Sequence, residues 1–286
     1  MKKGWIVLLL FFVSCKSTES INRFAKSATT ATTVIGRETP SFGSFCRLYN
    51  PVALSRYMDT SIIPKGHRNL TNCHIYDQSD SLTDIINQTL VNYFAMLQAL
   101  SDKKLIAYNA NSLVSSLQQI QTDVLPGISL SDEKVSAIKG LLNTILNEPL
   151  KWYRHDKLVS TMRKTDSALE RVLSVYIFIL DTALVGEMNQ VRENYTSFVY
   201  APMYEMSRTP LEKIFVNQQY NSFMTSRDAE SKTTQKSIRV LETIRKDHHL
   251  ISFGKPEQSF SETEAEIAID IIKINKGVTE IIQILK

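Results

Sequence analysis

The chain has few side chains whose types and spacing suit chemistry: five histidines, three cysteines and eight methionines in 286 residues. Cys46, His67, Cys73 and His74 could offer sulfur and imidazole to a metal, but adjacent Cys73-His74 lacks the spacer that the usual zinc motifs place between ligands. His248-His249 is the one histidine cluster. His248 continues the helical face of Leu241, Ile244 and Ile251, so it reads as a half-buried histidine near a helix C-terminus, where the dipole favours its cation, or as a ligand or catalytic group. Asp181 follows an apolar run and would serve as a general acid or base if burial raised its pKa; turned to the polar edge it would do neither. With His155, these two form a weak set of ligand-site candidates: Asp181, His155 and His248. Met203-Tyr204-Glu205-Met206, with Met188 and Met224, could present thioethers to copper or fill an irregular loop between helices. Tyr200, Tyr204, Trp152 and Tyr153 could line an aromatic groove or sit in the core. There is no G-x-S-x-G elbow, no phosphate-binding G-x-x-x-x-G-K, no G-x-G-x-x-G, no H-E-x-x-H and no E-x-x-H. No catalytic residue, metal or cofactor is assigned.

The N-terminus carries the clearest signal. Lys2 and Lys3 precede an apolar run from Trp5 to Val13, then Ser14-Cys15 and polar Lys16-Ser17-Thr18-Glu19-Ser20. Nine helical residues span only about 14 Å, half a bilayer, which fits an export signal and not a membrane span. Phe12-Val13-Ser14-Cys15 resembles the lipobox of bacterial lipoproteins with type II signal peptides, with Phe12 where leucine is usual. The resemblance implies that residues 1–14 are removed and that Cys15 is acylated and becomes the first residue. Because Lys16 is not the aspartate that retains many such proteins at the inner membrane, it also implies the outer membrane. The other reading is an ordinary secretory signal, with Val13 and Cys15 in its small-residue positions. The resemblance covers about fifteen residues, and the body is assigned to no family. Sequons at Asn69, Asn87 and Asn194 keep a eukaryotic secreted protein open.

If Cys15 carries lipid, Cys46 and Cys73 are the two thiols left, and an oxidising envelope favours their pairing as a disulfide. Closing that loop is worth about 3 to 4 kcal/mol in the chain-entropy model. Loss of Lys2 and Lys3 leaves 31 basic against 29 acidic residues. The two signs interleave, as in Arg227-Asp228-Ala229-Glu230, so no cationic stripe suits a nucleic acid.

The elements that must position these residues read as helices. Hydrophobic residues make up 43% and charged residues 22% of the chain, with nine glycines and eight prolines, which is too little turn material for a many-stranded sheet. Ser17 to Thr39 is dense in Ser, Thr and Ala and reads mainly as a tether, giving a lipid-anchored segment over 15–40. Residues 41–80 hold Pro51, Pro64-Lys65-Gly66 and both remaining cysteines without a sustained period, and read as ordered loop. From Ser81 the apolar residues fall at three- and four-residue steps: Leu82 to Leu100, Leu113 to Val124, and Val135 to Leu146. Pro149 to Pro202 reads as one long helix or a gently broken pair, and its segment Val172 to Leu180 is apolar nearly all round, marking a central strut. Pro210, a favoured first helical residue, opens a stretch to about Ile251, within which Thr225 to Ser237 reads as a solvated projection or a break, where changes should cost little. Ser261 to Glu264 has capping-box spacing and leads into Ile267, Ile271, Ile274, Val278, Ile281 and Leu285, a packing seam.

The expectation is an all-α protein: an elongated multi-helix bundle of long antiparallel helices over 81–286, preceded by a loop-rich, cysteine-containing segment. In function it is a cell-envelope lipoprotein held at the membrane by its N-terminal lipid, a non-catalytic scaffold or protein-binding module with a protein partner and no nucleic acid. The alternative is a small-ligand-binding or enzymatic bundle.

Overall fold

In the computed structural model, residues 4–55, 73–102, 131–147, 155–254 and 260–284 are described, and among them there is no strand. The helices are α1 (Gly4–Glu38), α2 (Phe42–Ser55), α3 (His74–Ser101), α4 (Asp132–Asn147), α5 (His155–Phe178), α6 (Val185–Tyr195), α7 (Ala201–Met206), α8 (Pro210–Phe253) and α9 (Phe260–Ile284). Two π-helical segments, Ile179–Leu184 and Thr196–Tyr200, splice α5, α6 and α7 into one rod. The expected stripe at Leu113 to Val124 lies outside the described residues.

Side-chain contacts set the directions. Gly36 approaches Asn87 while Asn22 bonds Ser101, so α1 and α3 are antiparallel. Tyr93 meets Thr165, and Asn87 meets Tyr176, which sets α5 against α3. Arg163 bonds the Ser252 carbonyl and Arg245 bonds Ser174, which sets α8 against α5. Lys246 pairs with Asp270 and Lys236 with Glu280, which sets α9 against α8. The all-α bundle of long antiparallel helices is therefore as expected.

The segment read as a tether is instead a core helix. Ile21, Phe24, Ala25, Ala28, Ala31 and Ile35 of α1 are buried, and α1 packs on both α3 and α9. Its threonines do not resist helix formation, because Thr29, Thr32 and Thr33 each donate to the carbonyl four residues back at 2.8 Å. With its hydroxyl satisfied locally, buried Thr32 offers its methyl group, beside the small alanines, to a neighbouring helix. Gly36 permits the closest approach, since a Cβ there would stand 2.0 Å from Asn87 Nδ2.

The region read as loop is also largely helical where described. α2 occupies Phe42–Ser55, and α3 begins at His74, seven residues before the expected Ser81. The Asp80 carboxylate accepts from the backbone N–H groups of Phe42 and Gly43 at 2.7 and 2.9 Å, satisfying free donors in the first turn of α2. The disulfide between Cys46 and Cys73, whose Cα atoms are 5.7 Å apart, staples α2 to the N-terminus of α3.

Thr225 to Ser237 is neither projection nor break. It lies within α8, a continuous helix of 44 residues that opens on a Thr209–Glu212 capping box and ends at Gly254, whose φ of 69° lies in the left-handed region. Thr233, Thr234 and Ser237 are fully buried; Thr234 and Ser237 donate to carbonyls four residues back. Small polar residues thus make a helix-packing surface that hydrophobic periodicity does not register. The strut around Val172 to Leu180 is enclosed on most sides by α3, α4 and α8, but Phe178 is 40% exposed, and α9 packs against α1 and α8. Ile267, Ile274, Val278 and Ile281 of that last helix are core. α9 starts at Phe260, so Ser261 stands inside the first turn rather than at its cap, and Glu264 accepts instead from Ser20 of α1.

Candidate functional site

Three long helices bring a buried polar chain together. On α5, Asp166 sits within the apolar stripe of Met162, Leu169 and Leu173; on α8, His248 follows Leu241 and Ile244; on α3, Tyr93 adjoins Leu90 and Leu97. His248 Nδ1 is 2.8 Å from Asp166 Oδ1, and its Nε2 is 2.7 Å from the Tyr93 hydroxyl, which lies 2.6 Å from Thr165 Oγ1. His249 Nδ1 reaches the second Asp166 oxygen, also at 2.8 Å.

Burial pushes the His248 pKa down more than Asp166 raises it, so the ring is neutral. Its Nδ1–H then donates to Asp166, and Nε2 accepts from the Tyr93 hydroxyl. Burial alone would raise the Asp166 pKa, but hydrogen bonds from the two histidines outweigh it and hold the carboxyl below its ordinary value. Tyr93 is pushed upward by burial and stays protonated. Thr165 can donate either to Tyr93 or to the Thr161 carbonyl at 3.0 Å. Rotating two hydroxyls would therefore accommodate a second proton on His248 without moving a heavy atom.

Of this chain only His249 reaches solvent, beside a cleft of about 360 Å³ between α5 and α8. Glu170, Glu242, Arg245 and Lys246 contribute charges of both signs to the wall. The lining includes no serine, threonine or cysteine for the Asp166–His249 dyad to activate. Among the described residues no group of three or more His, Cys, Asp or Glu side chains could hold a metal. The arrangement can orient an imidazole at a surface and pin three helices in register.

The other candidates lie apart from this cluster. Asp181 is exposed on the first π segment. His155 is the first residue of α5, and its side chain lies outside the described residues, as do that of Cys15 and all of Trp152, Tyr153 and His67. His248 is fully buried rather than half-buried, because α3 supplies Tyr93 to its far nitrogen. Sequence reasoning missed Asp166, Tyr93 and Thr165; the available signal was a carboxylate at a position of α5 where the helical period called for an apolar residue.

A second polar cluster joins α8 to α9. Asp270 accepts from Lys246 and Lys273 at 2.7 and 2.6 Å. Asp247 is wholly buried beside it, with neither carboxyl oxygen in a good hydrogen bond; burial first, and the Asp270 charge second, push its pKa to about 8.

The third feature is the hairpin where α7 turns into α8. Met203, Met206, Leu211, Ile214 and Phe215 share an open groove of about 950 Å³. Met206 and Phe215 are more than half exposed, and Leu211 is 76% exposed. Of the methionines read as loop fillers, Met203 and Met206 stand instead on a helix facing solvent, while Met188 is buried in the core on α6 and Met224 is half-buried on α8. Below them a stack of aromatic rings runs down the seam: Tyr200 on Tyr220 at 4.1 Å and Tyr195 on Phe223 at 3.8 Å, then Arg227 over Phe223 and Phe45.

Compared with protein-family models, curated proteins and solved structures, the chain matches none. Among the described residues, fold and geometry define an all-α bundle with an exposed apolar groove at the α7–α8 hairpin.

Proposed function

We propose that the protein is an exported, lipid-anchored envelope protein that works as a non-catalytic helical scaffold, offering the α7–α8 tip to a protein partner. One observation carries the docking role: five large, exposed apolar side chains cluster at one end of the molecule, with none of the described residues over them. Isolated exposed apolar residues are ordinary, whereas a contiguous patch of this kind marks an interaction surface.

The fold supports a geometry for the anchor. Thr18, three positions after Cys15, is the first of the described buried residues of α1, so acylation at Cys15 would seat the bundle close against the membrane. Ser20 and Asn22 of α1, a few residues past Cys15, meet the start of α9 and the end of α3, and Lys246 near the C-terminus of α8 pairs with Glu266 at that same end. From there α8 runs 44 residues, about 66 Å, to the tip. A lipid at Cys15 would therefore hold the apolar patch far from its own bilayer, which favours a protein as its occupant.

Two measurements test this. Intact-mass analysis of membrane-extracted protein should show acyl groups on a chain beginning at Cys15, and Cys15→Ser should abolish them; an unlipidated mature chain refutes the anchor. Leu211→Glu should abolish tip-dependent cross-linking in intact membranes while leaving the melting temperature unchanged, and undiminished cross-linking refutes the docking role.

The Asp166–His249 cleft favours a second reading, a small-ligand site. It requires a ligand that raises the melting temperature of the wild type but not of His249→Ala.

A further inference from the structure

The tip is built as half of something. α7 and the opening turns of α8 form a single layer of two helices, and among the described residues no second layer lies over the face carrying Met203, Met206, Leu211, Ile214 and Phe215. Helices with an apolar face are stable when another layer covers that face. Leu211, Ile214, Phe215 and Gln218 follow the i, i+3, i+4, i+7 pattern that a facing helix fills.

Two observations identify the covering layer. The first is area: from their fractional exposures, these residues and Tyr204 leave on the order of 600 Å² of side chain in water. Doubled across an interface, that reaches about 1,200 Å², the lower bound for a specific, stable association of two proteins. The second is charge. Glu205, Arg208, Glu212 and Lys213 surround the apolar centre, all exposed, two of each sign. A rim that is neutral and mixed is complementary to itself, whereas a strongly charged partner would call for a rim of one sign.

We propose that the tip is a self-association surface: the α7–α8 hairpins of two copies pack face to face across a twofold axis, completing a four-helix bundle. The contact is isologous, so each copy contributes the same patch and Glu205 of one meets Arg208 of its partner. This inference rests on the docking role proposed for the tip and names its occupant as a second copy of this chain. The two membrane-proximal ends then point away from each other.

The test uses the lipid-free mature chain from Lys16 onward, which keeps every described buried residue. Sedimentation equilibrium at about 10 µM should give the mass of a dimer, and Leu211→Glu or Phe215→Glu should weaken dimerisation at least about tenfold, as hot-spot residues do. Both side chains are exposed in the single chain, so helical content should not change, and the melting temperature should fall only by what dimerisation contributes, no longer rising with protein concentration. Glu205→Lys alone should weaken the dimer, and the double variant Glu205→Lys/Arg208→Glu should restore it. A wild-type monomer at about 50 µM overturns the proposal. A photo-crosslinker placed at Phe215 in intact membranes separates the two levels of inference. Cross-linking to a second copy supports self-association. Cross-linking to a different protein overturns it while sparing the docking role. Cross-linking to lipid, or to nothing, overturns both.

Discussion

Phe24 decides whether the Ser/Thr-rich segment after the export signal is tether or core. Its side chain is fully buried, and its ring meets Phe94 edge to face with centroids 5.9 Å apart. Truncation to alanine loses about 1.5 to 3 kcal/mol of transfer free energy and an aromatic pair worth about 0.5 to 1.5 kcal/mol. The cavity left between α1 and α3 adds to this, because neighbours held by the Gly36–Asn87 approach relax only in part. The expected total is about 3 to 5 kcal/mol, a large share of the roughly 5 to 15 kcal/mol that holds a domain together. Urea titration followed by circular dichroism at 222 nm should show the midpoint fall with little change in slope, and the melting temperature should drop by roughly 10 °C. Lys26→Ala, on the exposed side of the same helix, should change stability by less than about 0.5 kcal/mol. If Phe24→Ala stays as close to wild type as Lys26→Ala does, α1 is not part of the folded core and the packing described above is wrong.

Tyr93→Phe should cost about 1 to 3 kcal/mol, since it leaves His248 Nε2 buried without a donor; a neutral result in thermal unfolding would mean the chain from Thr165 to Asp166 is not formed. Asp247 has a folded-state pKa raised to about 8 from an ordinary 3.8. The folded protein therefore holds this proton more tightly than the unfolded one, and the group's contribution is complete below about pH 4 and is lost as pH rises through 8. Asp247→Asn should flatten that decline, which reaches at most about 6 kcal/mol, and be the more stable protein above pH 8; parallel curves for the two proteins would contradict it. Thr234→Lys should destabilise by more than about 3 kcal/mol, because it buries an unpaired charge, while Thr225→Lys nearby on α8 should be nearly neutral. Equal effects would show that the polar stretch of α8 does not pack.

The sequence alone determined the features that local periodicity and covalent arithmetic encode. Leu82 to Leu100, Val135 to Leu142 and Ile267 to Ile281 announce helices because a 3.6-residue period places each set on one face. Pro210 marked the start of α8 correctly because its ring is already set for a first helical turn. Cys46 and Cys73 were paired by counting once Cys15 was set aside, and the structure joins them. Tertiary structure decided which faces meet. Thr32, Thr233, Thr234 and Ser237 are polar by composition and buried in fact. The hydroxyls of Thr32, Thr234 and Ser237 turn back on their own helices, and only a close neighbour makes the small size of all four an advantage. His248 was legible as a histidine on a helical face, but its depth and its charge depend on Asp166 and Tyr93, which lie 82 and 155 residues away. Those partners meet through the antiparallel register of α3, α5 and α8, and that register is set by the packing of many side chains at once, which no single stripe records.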